Sequence, residues 1–249
     1  MTGLSDLAPT LVGVGALVVL TIAMLWSSRT PHRFAPAFAI LRGTAQLAVI
    51  SVILGGVITS PLWVSVALLV MFTVAAATAA RRLGWSWGHF ALTAAAMGAG
   101  ILATLLIVFS TGAIEFSPRY ALAIGGIVIG NAMSIATLAG RRLTESINEH
   151  WEEVEGWTAL GATPRQSTLE LARTAVYSAL IPSTDQTKTT GLVTLPGAFV
   201  GAIFGGVSPL EAGRFQVVVL ASIMAAGSIT AVVVVRMLAP VRQRPAALR

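Results

Sequence analysis

Apolar stretches of about twenty residues recur from one end of the chain to the other, separated by short clusters of charge. A helix needs about 20 residues to cross a ~30 Å hydrocarbon core, and in lipid it must satisfy its own backbone hydrogen bonds. Seven stretches meet that requirement: Leu7–Trp26, Ala37–Ile58, Leu62–Ala80, Phe90–Phe109, Tyr120–Gly140, Thr189–Val207 and Phe215–Leu238. Pro196 and several glycines interrupt the sixth. The 249 residues are 55% hydrophobic and 10% charged, far below the charge of a soluble domain. The fold expected is therefore all-α and polytopic, one transmembrane domain over residues 1–249. With no cysteine, a disulfide scaffold and a thiolate metal site are excluded.

Charge sets the expected orientation. The net charge is +6, but the basic residues lie between apolar runs, a topology pattern and not a nucleic-acid face. Of the 16 Lys and Arg, all but Arg42, Arg119 and Arg214 fall where alternate crossings place one compartment. The clusters are Arg29 with Arg33, Arg81 with Arg82, the segment 141–188, and a tail running to Arg249. The positive-inside rule then puts the N-terminus outside and the C-terminus in the cytoplasm. No basic residue precedes the first span and no small-residue cleavage site follows it, so it reads as a span and not a signal peptide. Trp26, Trp63, Trp85 and Trp87 stand near span ends, where an indole prefers the headgroup zone.

The external connections, Thr59–Pro61, Ser110–Arg119 and Ser208–Arg214, are short. The long connection, about 141–188, is expected in the cytoplasm. Ile147, Trp151, Val154, Trp157 and Leu160 recur there at helical spacing, with Glu145, Glu149, Glu152, Glu153 and Glu155 on other faces. Gly161 is placed to end that helix. Thr163, Pro164 and Gln166 form a capping signature for a second helix. An anionic leaflet repels an acidic helix, so a helix, tight turn and helix of this charge fit a protein partner better than a lipid surface.

Glu155 and Gly161 stand six apart within Glu155-Gly156-Trp157-Thr158-Ala159-Leu160-Gly161-Ala162-Thr163-Pro164. This resembles the Glu-Ala-Ala loop of ATP-binding-cassette permeases, with Gly156 and Trp157 in place of the two alanines. The flanks extend the likeness: Leu41-Arg42-Gly43-Thr44-Ala45-Gln46-Leu47, Gly130-Asn131-Ala132-Met133-Ser134, Ala179-Leu180-Ile181-Pro182-Ser183, Lys188 through Gly197, and Gly205 through Ala212. In that order they are similar to the FetB-type permease family, which includes a bacterial iron exporter and plant aluminium-tolerance proteins. One departure touches substrate. The family's Leu-Pro-Gly is followed by Met and Thr, whereas Ala198 and Phe199 follow Leu195-Pro196-Gly197 here.

The resemblance implies a coupling helix seated in a groove of a cytoplasmic ATPase, with Glu155, Gly161, Ala162, Thr163, Pro164 and Arg165 at the contact. It further implies a homodimer of permeases with two ATPase chains in a bacterial inner membrane, moving a metal-linked substrate outward. The chain's single lysine, Lys188, lacks the glycine frame of a phosphate loop. ATP and magnesium therefore belong to the partner, and this chain is expected to bind no cofactor and to be no enzyme. The loop equally permits an importer permease. A seven-helix receptor or channel is the reading from another class, and it needs no ATPase.

Several polar groups fall within spans. Arg42 and Gln46 share a face; Arg42 either snorkels to the surface or pairs with Asp185 or an anionic substrate. Asn131 and Ser134 either bond to a neighbouring helix or line the pathway. Asp185 and Lys188 are expected to form an ion-paired hinge. Pro196 and Gly197 mark either tight packing or a broken helix along the conduit. Acidic residues and histidines are nearly absent from mid-span, so no resident metal site is expected within one chain.

Overall fold

The computed structural model describes residues 4–57 and 60–246. Ile58, Thr59 and the end of the basic tail, Ala247, Leu248 and Arg249, lie outside the described residues. Two compact units are present, Met1–Val57 and Ile58–Arg249. The first is a helical hairpin of α1 (Leu4–Ser27) and α2 (Ala35–Val57). Its tight connection places Arg29 and His32 at positive φ and lays the Arg33 guanidinium 3.8 Å from the centre of the Trp26 ring.

The second unit contains α3 (Pro61–Arg82), α4 (Trp87–Ser110), α5 (Pro118–Glu149), α6 (Trp151–Ala159), α7 (Leu169–Thr189), α8 (Gly197–Phe204) and α9 (Pro209–Leu238). Three of them begin alike, with serine before proline: Ser60-Pro61, Ser117-Pro118 and Ser208-Pro209. Proline suits the first helical position because its missing N–H would have no intrahelical partner there. The Ser117 and Ser208 hydroxyls accept the Tyr120 and Glu211 N–H at 3.3 Å.

α5 and α9 form the centre, packed on each other, with α3, α4 and α7 around them. Small residues set how closely the helices approach. A Cβ on Gly100 would lie 2.5 Å from the Ala226 carbonyl oxygen, so α4 touches the α9 backbone. Buried threonines tie the layers: the Thr93 hydroxyl donates to the Ala76 carbonyl at 3.1 Å, and Thr230 to Ala96 at 3.4 Å.

Among the described residues, five helices are long and apolar enough to cross a membrane: α1 over Ala8–Ser27, α3, α4, α5 and α9. α2 is also apolar along Ala35–Ser51. The expected sixth span, Thr189–Val207, is not one helix. α7 ends at Thr189, residues 190–194 fold into a tight turn with Gly191 at φ +91°, and α8 has eight residues, about 12 Å of rise and too short to cross.

Segment 141–188 is corrected as well. It does not lie wholly outside the bundle, because residues 169–188 belong to α7, packed along α5 and α9. Buried Ala175, Ala179 and Ser183, spaced one turn apart, let α7 approach closely.

Candidate functional site

The segment between α5 and α7 forms a knob at one end of the second unit. α5 stops at Glu149, and α6 restarts after His150, whose φ and ψ are not helical. Ile147 and Val154 are buried and Trp151 is half-buried, so the first part of the expected apolar stripe anchors the knob. The rest of it does not pack. Trp157 is 52% exposed and Leu160 83% exposed.

The turn after α6 closes on itself. The Ala162 N–H donates to the Trp157 carbonyl and the Gly161 N–H to the Thr158 carbonyl, each at 3.0 Å. This pair of bonds is a Schellman motif, which satisfies carbonyls left open at a helix end and needs a left-handed residue. Gly161 supplies it at φ +94°, with open space around its Cα. Backbone conformation, not crowding, is therefore what calls for glycine here.

Thr163 and Gln166 then cap each other. Gln166 Oε1 accepts the Thr163 N–H and hydroxyl, both at 2.8 Å, and Thr163 Oγ1 accepts the Gln166 N–H at 3.4 Å. The pair closes a run of turns over Pro164–Thr168, and regular helix begins only at Leu169, five residues later than the capping signature suggests. Thr168, fully buried, explains the delay. Its hydroxyl donates to the Ala239 carbonyl at 2.9 Å and fixes the base of α7 to the end of α9.

Glu155, Gly161, Thr163 and Arg165 are exposed on this knob, with Ala162 and Pro164 half-buried. Glu155 and Pro164 border a groove of about 550 Å³ shared with Arg242. A second groove, about 560 Å³, lies under Trp157, Leu160 and Gly161. The surface thus presents two aromatic or aliphatic side chains on a stiff turn within an acidic surround.

The other expected residues lie apart from the knob. Arg42 and Gln46 are exposed on α2. Asn131 and Ser134 do not bond to a neighbouring helix: the Asn131 amide donates to Ile127 O at 2.9 Å and the Ser134 hydroxyl to Gly130 O at 3.2 Å, both within α5. Asp185 is held by Lys188 on its own helix, Oδ1 to Nζ 3.5 Å. Pro196 caps α8 and Gly197 opens it. Among the described residues, no three His, Asp or Glu gather where they could hold a metal ion. Sequence reasoning missed Tyr177 and Ile181, exposed on the outward face of α7. The signal lay in the four-residue spacing of Ala175, Ala179 and Ser183, which marks the opposite face as a packing face.

Long apolar helices packed through small residues define a multi-pass helical membrane protein. Residues 9–241 match the uncharacterised protein family UPF0014, and the chain belongs to that family. It is 34% identical over 223 residues to "UPF0014 membrane protein STAR2" of Oryza sativa subsp. japonica, covering 89% of this chain and 78% of that one. "Protein ALUMINUM SENSITIVE 3" of Arabidopsis thaliana is 33% identical over 221 residues, 87% of this chain and 81% of its own. "Probable iron export permease protein FetB" of Escherichia coli (strain K12) is 36% identical over 137 residues, 55% and 52% of the two chains. No solved structure matches the chain.

Proposed function

We propose that the chain is the membrane permease subunit of an ATP-binding-cassette exporter, driven by a separate cytoplasmic ATPase. The observation that carries this reading is the knob at 151–168: a stiff, self-capped turn that leaves Trp157 and Leu160 exposed. Exposed aromatic anchors on a rigid element are what a protein partner's groove takes up. A receptor or channel, the reading from another class, predicts no ATPase partner. The permease name and the iron both come from one relative, the FetB protein, and they are carried to this chain as part of the proposal.

Seven crossings follow if α2 and α7 join the five long apolar helices. The N-terminus then faces outward, and the knob and the C-terminus share the cytoplasmic side with most of the basic residues. Seven helices make a thin wall, so the working unit is two permeases with two ATPases, the pathway lying at or near the two-fold interface. ATP and magnesium sit on the ATPase. Its closure carries the two knobs and shifts the spans between inward-open and outward-open packings. Glu155, Gly161, Ala162, Thr163, Pro164 and Arg165 make the contact. Metal crosses as substrate, in a hydrated or chelated form.

The test is purification with the candidate ATPase in nanodiscs, followed by ATP turnover with metals and chelates. Gly161→Val adds a branched side chain at φ +94°, a left-handed strain of roughly 1–2 kcal/mol. If the strain displaces the turn from its contact, stimulated turnover is expected to fall about five- to thirtyfold, at ~1.4 kcal/mol per tenfold, while the chain stays inserted. Wild-type turnover in that variant, or failure to recover any ATPase, overturns the proposal.

A further inference from the structure

α7 is long enough to cross a bilayer yet carries charge and hydroxyls along one face. Its depth can be read from its neighbour. Thr168 bonds to Ala239, and Leu180 packs at Gly227, twelve residues further along each helix in opposite directions. α7 therefore runs antiparallel to α9 in constant register. Continued, that register sets Tyr177 level with Thr230, Ile181 with Ala226, Asp185 with Ser222 and Lys188 with Val219. The uncharged stretch of α9 runs between Arg214 and Arg236. Asp185 thus lies eight residues, about 12 Å, inside Arg214, and Tyr177 six residues, about 9 Å, inside Arg236.

These side chains point away from the packing face. Tyr177 is 71% exposed, and the Asp185 and Lys188 side chains are 61% and 71% exposed. An ionised group at such depth is costly against lipid and is found facing a water-filled cavity or a bundle interior. Pro182, also exposed, deprives the Ser178 carbonyl of its usual donor near the middle of the helix. A carbonyl freed in this way is re-satisfied by a neighbouring helix, a Ser or Thr side chain or an ordered water, and on this exposed face water can supply the donor.

We infer that the face of α7 carrying Tyr177, Ile181, Asp185 and Lys188 is a water-lined wall of the transport pathway, suited to a hydrophilic solute that keeps its own hydrogen-bonding shell. Asp185 and Lys188 neutralise one another, so the wall is polar without being a carboxylate cage. A metal ion passing it keeps its water or its chelator. This inference rests on the transport reading for the solute, but the water-lined face itself is tested without it.

The chain has no cysteine, so single cysteines need no altered background. Tyr177→Cys, Ile181→Cys and Asp185→Cys are compared with Leu106→Cys on α4 and Val217→Cys on α9, two exposed apolar positions on long apolar helices. The permease in nanodiscs, alone and in parallel with its candidate ATPase, is treated with a charged methanethiosulfonate, which reacts with the thiolate and hence needs water. Expected rates at the three α7 sites exceed those at Leu106 and Val217 by about tenfold or more. Should Asp185→Cys fail to assemble, the other two sites decide. Rates as slow as at Leu106 overturn the inference, whether lipid or a second copy covers the face. ATP turnover in the same preparations separates the two ideas. Turnover with an unreactive α7 sinks this inference alone, whereas a reactive α7 without any ATPase keeps the wet wall and sinks the transporter reading.

Discussion

α7 and α9 lie side by side in opposite directions, the start of α7 tied to the end of α9 through Thr168 and Ala239, and differ in almost every other respect. α9 has 30 residues, an apolar exposed side and buried positions along its whole length, from Ala212 to Val235. α7 has 21 residues, buries only Ala175, Ala179 and Ser183, and leaves a polar stripe outside. Two helices in contact along one register can thus be under different demands. α9 is fixed by packing on α4 and α5, whereas α7 is attached on one side and open on the other.

The most severe way to break this contrast is at α4. Gly100→Leu would drive a side chain into the Ala226 carbonyl of α9, and backbone cannot give way as a flexible side chain does. We expect a loss of about 3 kcal/mol or more, read as disappearance of the monodisperse peak in size-exclusion chromatography after mild heating. Survival of that variant would mean that α9 is not the fixed member of the pair.

The next test sets the two outward faces against each other at matched depth. Ala225 on α9 and Ile181 on α7 are both exposed and both near the middle of the register. Ala225→Asp should cost about 2.5–3.5 kcal/mol, the penalty for aspartate against lipid at a helix centre. Ile181→Asp should cost little, because its face is wet. Yields of folded protein measure both; equal losses would erase the distinction.

How much of this was legible in the sequence follows from the same pair. Hydropathy located α1, α3 and α4 to within about three residues, and found α5 and α9 but cut them short, since the end of α5 at 141–149 and the start of α9 at 209–214 carry charge. It misplaced the helix beside α9. Lys188, Asp185, Gln186 and the threonines lower the average over α7, while the apolar run after Thr189 imitates a span although Gly191 and Pro196 break it. An average over a window cannot distinguish a polar face from a polar helix. At the knob, spacing was the better guide. Gly161 and the Thr163–Gln166 pair act through local geometry, and both form the turns their residue types favour. What spacing could not reveal was that Trp157 and Leu160 stay exposed while Val154 is buried, because that depends on which face meets the bundle.

The mildest perturbation sharpens the contrast at the point where the two helices are tied. Thr168→Val keeps the shape of the side chain and removes the hydroxyl that reaches the Ala239 carbonyl. Losing a buried donor of this kind costs about 1 kcal/mol, which for a chain of this length is a drop of roughly 2–4 °C in Tm. The asymmetry of the effect matters more than its size. α9 keeps its contacts with α4 and α5, so hydrogen exchange should rise at 163–175 and stay unchanged along 219–235. If exchange rises equally along both helices, α7 and α9 open as one unit, and the picture of one fixed and one open-sided helix fails.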